Sequence, residues 1–273
     1  MYKKWERVLD QINSLDRTVV AFSGGMDSTL VLKAASQAKS NILAVTARAE
    51  IYPETEFQRA EQTAQALGIP HIYVDFQILN EEEFSSNPKN RCYICKKRLL
   101  TLLKRIAKEN NCSYVLDGTN ADDLKDYRPG LKALFEEGIL SPLKEAGLTK
   151  REVLLLAEEF KLPVIPSNAC LASRIPYQEP ITSAKLRQIE KAEALLHDLG
   201  FKQCRVRHQG VTARIEVPPV DLERLMHQPT REIIATYFEG LGFFYTALDL
   251  RGYKTGNLNK PLQKEALQWK AQG

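Results

Sequence analysis

Short apolar runs alternate with amphipathic stretches through the first 120 residues. Thr18 to Phe22 (TVVAF), Ile42 to Thr46 (ILAVT), His71 to Asp75 (HIYVD) and Tyr114 to Asp117 (YVLD) have the length and apolar character of strands buried on both faces. Phe57, Ala60, Ala64 and Leu67 step by three, four and three residues, which makes one face of a helix. Gly68 follows where a C-terminal cap belongs. Leu99, Leu103, Ile106 and Ala107 make a similar face. Strand, helix, strand in repetition predicts an α/β fold with a doubly wound parallel sheet, its ligand at the carboxyl ends of the strands.

Further on, Thr149-Lys-Arg-Glu152 fits a capping box ahead of the apolar run Val153 to Leu156, so a helix is expected there, fading near Phe160. Four prolines (163, 166, 176 and 180) then fall between residues 163 and 182, too many for a helix or a central strand. An extended segment crossing the site is expected here. With it comes a boundary between a domain of residues 1–170 and a smaller one of residues 171–273. Leu186, Ile189, Ala192, Leu196 and Leu199 form a helix face that ends at Gly200. Cys204 to His208 and Ala213 to Val217 read as strands around Gln209-Gly210, a helical stretch covers about residues 220 to 239, and Phe243 to Leu250 reads as a last strand. These elements make a small α+β unit.

Composition narrows the classes without choosing one. A chain of 273 residues suits one large or two unequal domains, and 44% hydrophobic with 26% charged residues is ordinary for a globular protein. No apolar run approaches the roughly 20 residues that span a bilayer, and the start MYKKWERVLDQIN lacks the apolar core of a leader, so a cytoplasmic protein without a membrane partner is expected. A net charge of +4 is too small to require nucleic acid, though it is compatible with a phosphorylated small molecule. Five cysteines, an odd number, argue against a disulfide framework and towards metal or redox chemistry.

The most informative segment is Phe22-Ser23-Gly24-Gly25-Met26-Asp27-Ser28-Thr29, between the first strand and an apolar helix. Small residues let backbone N–H groups approach phosphate oxygens, and the following helix N-terminus adds partial positive charge, so an anion is expected there. The pattern GxxxxGK(S/T) is absent, since Gly-Lys never occurs, and so is GxGxxG; ordinary kinase, GTPase and dehydrogenase readings lose support. The loop resembles the SGGxDS signature of the PP-loop ATP pyrophosphatases. That resemblance implies that Ser23, Gly24, Gly25, Asp27, Ser28 and Thr29 bind ATP, which is cleaved between its α- and β-phosphates with Mg²⁺ offsetting their charge. Asp117-Gly118-Thr119-Asn120, and Asp126 and Arg128 in DYRPG, resemble further parts of this family's nucleotide site. For Asp122, Asp123 and Asp126 taken singly, a solvated acidic loop explains the residues as well.

Arg91-Cys92-Tyr-Ile-Cys95-Lys96-Lys97 carries a C-x-x-C, and Cys170 lies in Ala169-Cys170-Leu-Ala-Ser173-Arg174 on the proline-rich segment. A thioredoxin-like pair is disfavoured because the motif does not follow the first strand of a βαβ unit. Zinc would need a fourth ligand, which no second paired motif supplies. Cys92, Cys95 and Cys170 together suit thiolate chemistry, and three cysteines on an iron-sulfur cluster leave one iron open to a sulfide. Cys112 and Cys204, beside apolar runs, read as small buried residues.

SGGMDST, NRCYICKK, DGTNADDLKDYRPGLKA and ACLASRIPY together resemble the LarE family of ATP-dependent sulfur transferases over most of the chain. The resemblance implies a pyridinium-3,5-biscarboxylic acid mononucleotide whose carboxylates are adenylated and converted to thiocarboxylates, in building a nickel-pincer nucleotide. Adenylation replaces an oxide leaving group with AMP, so that a thiolate or sulfide can attack. The family divides between sacrifice of one cysteine and a 4Fe-4S cluster on three. Having Cys92, Cys95 and Cys170, this chain is expected to be of the cluster type, with sulfide or a cysteine-derived sulfur as donor. Arg205 and Arg207 alternate along a strand and so project from one face, suited to gripping an anion. The resemblance puts the nucleotide phosphate on them. Arg174 is the expected partner of a substrate carboxylate, Cys170 and Asp27 complete the catalytic set, and Glu193 and Glu216 correspond to acidic residues near the second domain's site. A homo-oligomer is also implied. The alternatives are a tRNA thiolase of the same superfamily, disfavoured because Lys and Arg are spread along the chain rather than gathered in a stripe, and a sacrificial Cys170.

Overall fold

The computed structural model describes residues 1–38, 41–125, 130–163, 169–254 and 257–259. The chain divides into two compact units, residues 1–84 with 88–169, and residues 85–87 with 170–273.

In the first unit, β1 (Thr18–Ala21), β2 (Ile42–Arg48), β3 (His71–Asp75) and β4 (Tyr114–Leu116) form a parallel sheet of order β3-β2-β1-β4. This is the expected α/β class. Because β1 and β4 are neighbours but not consecutive, the winding reverses between them and opens a crevice at their carboxyl ends. Alternate residues of the sheet serve two cores: Val20, Ala44 and Leu116 on one side, Val19, Val45 and Val115 on the other. The first core takes helices α1 (Tyr2–Asn13), α2 (Met26–Gln37) and α3 (Glu54–Ala66), through residues such as Val8, Leu30 and Ala60. Helix α4 (Arg91–Glu109) covers the opposite side with Leu100, Leu103, Ile106 and Ala107, so Leu100 takes the buried place expected of Leu99. Helix α5 (Lys150–Glu159) returns to the first core through Val153, Leu156 and Ala157.

Helix α1 is an addition to the expected elements; its buried positions, Trp5, Val8 and Ile12, step by three and four residues. The capping box at Thr149 forms: Thr149 Oγ1 accepts from Glu152 N (3.3 Å), and Glu152 Oε2 accepts from Thr149 N (2.9 Å). Lys4 Nζ donates to the same carboxylate at 2.8 Å and ties α1 to α5. The Lys4 bond, followed by the Thr149 N–H, pulls the Glu152 carboxyl down to about 2.

In the second unit, β5 (Arg205–Gln209) and β6 (Thr212–Glu216) form an antiparallel hairpin, and β7 (Tyr245–Leu248) joins β6 in parallel. Helix α6 (Ser183–Asp198) packs on this sheet through Ala192 and Leu196. The helical stretch expected over about 220 to 239 consists of α7 (Leu222–Met226) and α8 (Thr230–Gly240), separated where Pro229 has no N–H to continue a ladder. Of the proline-rich segment, residues 164–168 lie outside the described residues, and Leu171–Arg174 forms a 3₁₀ turn. Residues 85–87 belong here because Ser85 O accepts from Ile181 N (2.8 Å) and Asn87 Nδ2 donates to Pro176 O (2.7 Å) and Glu179 O (2.8 Å). Among the described residues no helix is long and apolar enough to cross a membrane.

Candidate functional site

The crevice in the first unit holds a cavity of about 370 Å³, lined by the residues that follow β1, β2 and β4. Its floor is the phosphate loop. Gly25 caps α2 in an extended conformation, so the free N–H groups of the first turn face the opening. Ser28 Oγ donates to Gly25 O (3.0 Å) and lies 3.2 Å from Ser23 Oγ, which also accepts from Gly25 N (3.3 Å). These bonds hold the loop in a closed ring. Gly24 has φ +71°, and a Cβ there would sit 3.2 Å from Ala60 of α3. Across the crevice, Gly118 approaches so closely that a Cβ on it would lie 2.6 Å from Ser28 N. That contact explains why the residue after Asp117 has no side chain.

Asp117 is buried at the end of β4. It accepts from Thr119 Oγ1 (2.7 Å), Thr119 N (3.1 Å) and Ser141 Oγ (2.7 Å), and Lys96 Nζ stands 3.3 Å away. Burial works to raise its carboxyl, but Lys96 and the Thr119 and Ser141 donors outweigh burial and hold it below the usual carboxylate range. Ser141 arrives because Leu140 bridges to Leu116 alongside β4. Asp27, in the first turn of α2, accepts from Lys150 Nζ (2.6 Å) and Asn120 Nδ2 (3.1 Å). The wall formed by Val45, Ala47, Tyr52 and Phe57 is largely apolar.

Of the residues expected to bind nucleotide, Ser23, Gly25, Asp27, Ser28, Asp117, Gly118 and Thr119 line this one cavity, and Gly24 shapes the loop behind it. Thr29 does not line it: the residue is wholly buried in α2, turned away from the opening by the helical period. Asp126 and Arg128 lie outside the described residues. Three cations at the cavity, Lys96, Lys150 and Arg59, were not singled out from the sequence. Lys96 directly follows the C-x-x-C and Lys150 sits inside the capping box, motifs whose signal lies in the neighbouring residues.

The second unit gathers the other charged candidates. Arg174 has no exposed side-chain surface; its Nε and Nη2 donate to Glu193 Oε1 (2.9 Å) and Oε2 (2.8 Å), a two-pronged pair. Its Nη1 donates to Cys170 O (3.1 Å) and Ser173 Oγ (2.9 Å). The expected substrate carboxylate is thus preceded by an internal one, and Arg174 acts on Cys170 by fixing its backbone. Glu193 also accepts from Val206 N (2.9 Å) and so locks α6 to β5.

Arg205 and Arg207 are both buried but differ in kind. Arg207 Nη2 donates to Glu216 Oε2 (2.6 Å) and its Nη1 to Ser173 O (2.9 Å). Arg205 donates to Cys204 O (2.6 Å), lies over the Tyr253 ring at 5.2 Å, and has no carboxylate partner among the described residues. Burial, then the charge of Arg174, pushes its guanidinium below the ordinary range. Glu193 opposes that shift through its charge but does not touch Arg205, and a buried guanidinium with no carboxylate in contact is suited to an anionic ligand. Glu216 is wholly buried, between Arg207 and Arg214, and neither it nor Glu193 is a solvated charge.

None of the five cysteines, all among the described residues, forms a disulfide. Cys92 and Cys95 occupy the first turn of α4, exposed and half-buried, three residues apart and so on one face. Cys170, half-buried, precedes the Leu171–Arg174 turn in the second unit. Burial pushes Cys204 up to about 12, as suits the small buried residue expected there; Cys112 is half-buried instead, and its partial burial raises its thiol. Among the described residues no three or more His, Cys, Asp or Glu are gathered as a metal-binding group.

Comparison with known proteins adds a second line of support. The family described as queuosine biosynthesis protein QueC matches residues 17–99, from β1 through the phosphate loop to the first turns of α4. An uncharacterized protein of Synechocystis sp. is 40% identical over 264 residues, 96% of this chain and 98% of its own. The pyridinium-3,5-bisthiocarboxylic acid mononucleotide synthase of Lactiplantibacillus plantarum is 36% identical over 260 residues, 94% of each chain. An uncharacterized protein of Methanocaldococcus jannaschii is 28% identical over 239 residues, 88% of this chain and 91% of its own.

Proposed function

The chain belongs to the LarE family of ATP-dependent sulfur transferases, and on that premise we propose that it converts the carboxylates of pyridinium-3,5-biscarboxylic acid mononucleotide to thiocarboxylates. The observation that carries this reading is the cavity between β1 and β4, where the phosphate loop meets Asp117-Gly118-Thr119. ATP binds with its phosphates on the loop amides and its base on the apolar wall of Tyr52 and Phe57. A substrate carboxylate oxygen attacks the α-phosphorus, pyrophosphate leaves, and the acyl group now carries AMP. Lys96, steadied by Asp117, offsets charge as that bond breaks. A sulfur nucleophile then displaces AMP. In the second unit Arg205 binds the nucleotide phosphate, Arg207 with Glu216 supports it, and Arg174 with Glu193 fixes the backbone at Cys170.

Magnesium, which the fold family implies, would offset the phosphate charge, and the carboxylates of Asp27 and Asp117 beside the loop fit that use. For sulfur delivery we favour a 4Fe-4S cluster on Cys92, Cys95 and Cys170, which would offer a sulfide on an open iron. Three incompletely buried thiols outside any disulfide suit it chemically. Cys92 and Cys95 belong to the first unit and Cys170 to the second. The second reading is that Cys170 itself gives up its sulfur, favoured by its partly open thiol on a backbone pinned by Arg174.

One experiment tests both the function and the donor. Anaerobically purified protein is given ATP, magnesium and the dicarboxylate mononucleotide, and pyrophosphate, thiocarboxylate, iron, acid-labile sulfide and intact protein mass are measured. Substrate-dependent pyrophosphate with a thiocarboxylate product is expected. Background iron with loss of a sulfur's mass at Cys170 assigns sacrifice, and no pyrophosphate release sinks the proposal.

A further inference from the structure

The reading of the first-unit cavity as an ATP site leaves two of its cations without a role. We propose that Lys150 and Arg59 form a clamp for the two terminal phosphates of ATP, and therefore for the pyrophosphate that leaves. Lys150 is the first residue of α5 and its backbone is tightly fixed. Thr149, just before it, is locked in the capping box, and Lys150 N donates to Asp122 Oδ2 at 2.9 Å. From that anchor the side chain reaches into the cavity and sets its ammonium 2.6 Å from Asp27 Oδ2, within the phosphate loop itself. Arg59 comes from the other neighbour of the loop. It precedes Ala60, the residue that packs against Gly24, and it lines the same cavity with no ion pair or hydrogen bond among the described residues.

Charge decides between the phosphates. The N-terminus of α2 supplies only about half a positive charge, far short of the β- and γ-phosphates together. Lys96 of α4 is held at the end of β4 by Asp117, and the proposed function already gives it the charge at the bond that breaks. Lys150 is held at the loop by a carboxylate that an arriving polyphosphate replaces, and Asp27 then becomes available to magnesium. Arg59, with no partner to give up, needs only to turn its planar donor set onto the phosphate oxygens. The same two cations hold pyrophosphate after cleavage, which makes them determinants of its release as well as of ATP affinity.

The test is calorimetric titration of the full chain with ATP, pyrophosphate and AMP in magnesium buffer, for wild type and for Lys150→Met, Arg59→Met, Lys150→Arg and Arg59→Lys. Each methionine variant is expected to lose about tenfold in affinity for ATP and pyrophosphate, the worth of one charge-assisted hydrogen bond, with AMP affinity unchanged. The charge-keeping variants recover most of the loss. Unchanged ATP and pyrophosphate affinity in either methionine variant overturns the proposal. So does an equal loss for AMP, which would mean a loosened loop rather than a phosphate contact. A wild type that binds neither ATP nor pyrophosphate refutes the ATP reading itself, and the two failures are thereby distinct.

Discussion

Replacing Gly118 by alanine perturbs the crevice between β1 and β4 with a single methyl group. The new Cβ would lie 2.6 Å from Ser28 N, 2.9 Å from Asp27 C and 3.0 Å from Ser28 Cα, whereas ordinary contact begins at 3.4 Å. All three atoms are backbone of the first turn of α2, so no flexible side chain can give way. The crevice must open by about 0.8 Å, the difference between 3.4 and 2.6 Å. Overpacking of this kind costs about 1–3 kcal/mol. At about 2–4 °C per kcal/mol for a unit of this size, Tm falls by several degrees. The larger effect is on chemistry: the loop amides and Asp117 move apart by nearly the 1 Å misplacement that costs on the order of 10²-fold in rate. Substrate-dependent pyrophosphate release measures the rate and scanning fluorimetry the stability, and an unchanged far-UV circular dichroism spectrum shows that the rest of the fold is intact. Pyrophosphate release within about twofold of wild type together with an unchanged Tm would refute the reasoning, since it would mean that the close approach does not exist.

Two further outcomes concern stability. Glu152 has a folded-state carboxyl lowered from 4.5 to about 2, so the stability that it contributes is present above about 4.5 and is lost as pH falls towards about 2. The Tm advantage of wild type over Glu152→Gln is therefore expected to shrink across that window, and an advantage that grows with acidity contradicts the assignment. Arg174→Met leaves the Glu193 carboxylate buried without its partner, and urea unfolding is expected to show a loss of about 3–5 kcal/mol, much of it recovered in Arg174→Met/Glu193→Leu. A single-variant loss below about 1 kcal/mol would mean that the pair is not closed in solution.

Much of this protein could be read along the chain because the relevant signals are local. The four parallel strands fall on the expected short runs, although β3, at the sheet edge, is half-buried and not covered on both faces; the capping box is four adjacent residues, and the phosphate loop needs its serines, glycines and aspartate side by side to build one turn. The family itself followed from such segments. Where the elements go beyond the expected ones, the cause is also local: Pro229 divides α7 from α8 inside an apolar stretch, and α1 shows its period over only three buried positions.

What only the tertiary structure decided is which distant residues meet. Asp27 and Lys150 lie 123 residues apart, and Arg174 and Glu193 19 apart, in chain positions that carry no mark of the pairing. Gly118 is small because Ser28 approaches it, Arg207 is committed because Glu216 lies on the adjoining strand, and Arg205, two residues away on the same strand face, has no carboxylate in direct contact among the described residues. Hydrophobic periodicity records that a residue faces inward, since one side chain suffices to express it. An ion pair or a backbone contact depends on two positions brought together by winding of the sheet, and neither residue alone encodes its partner.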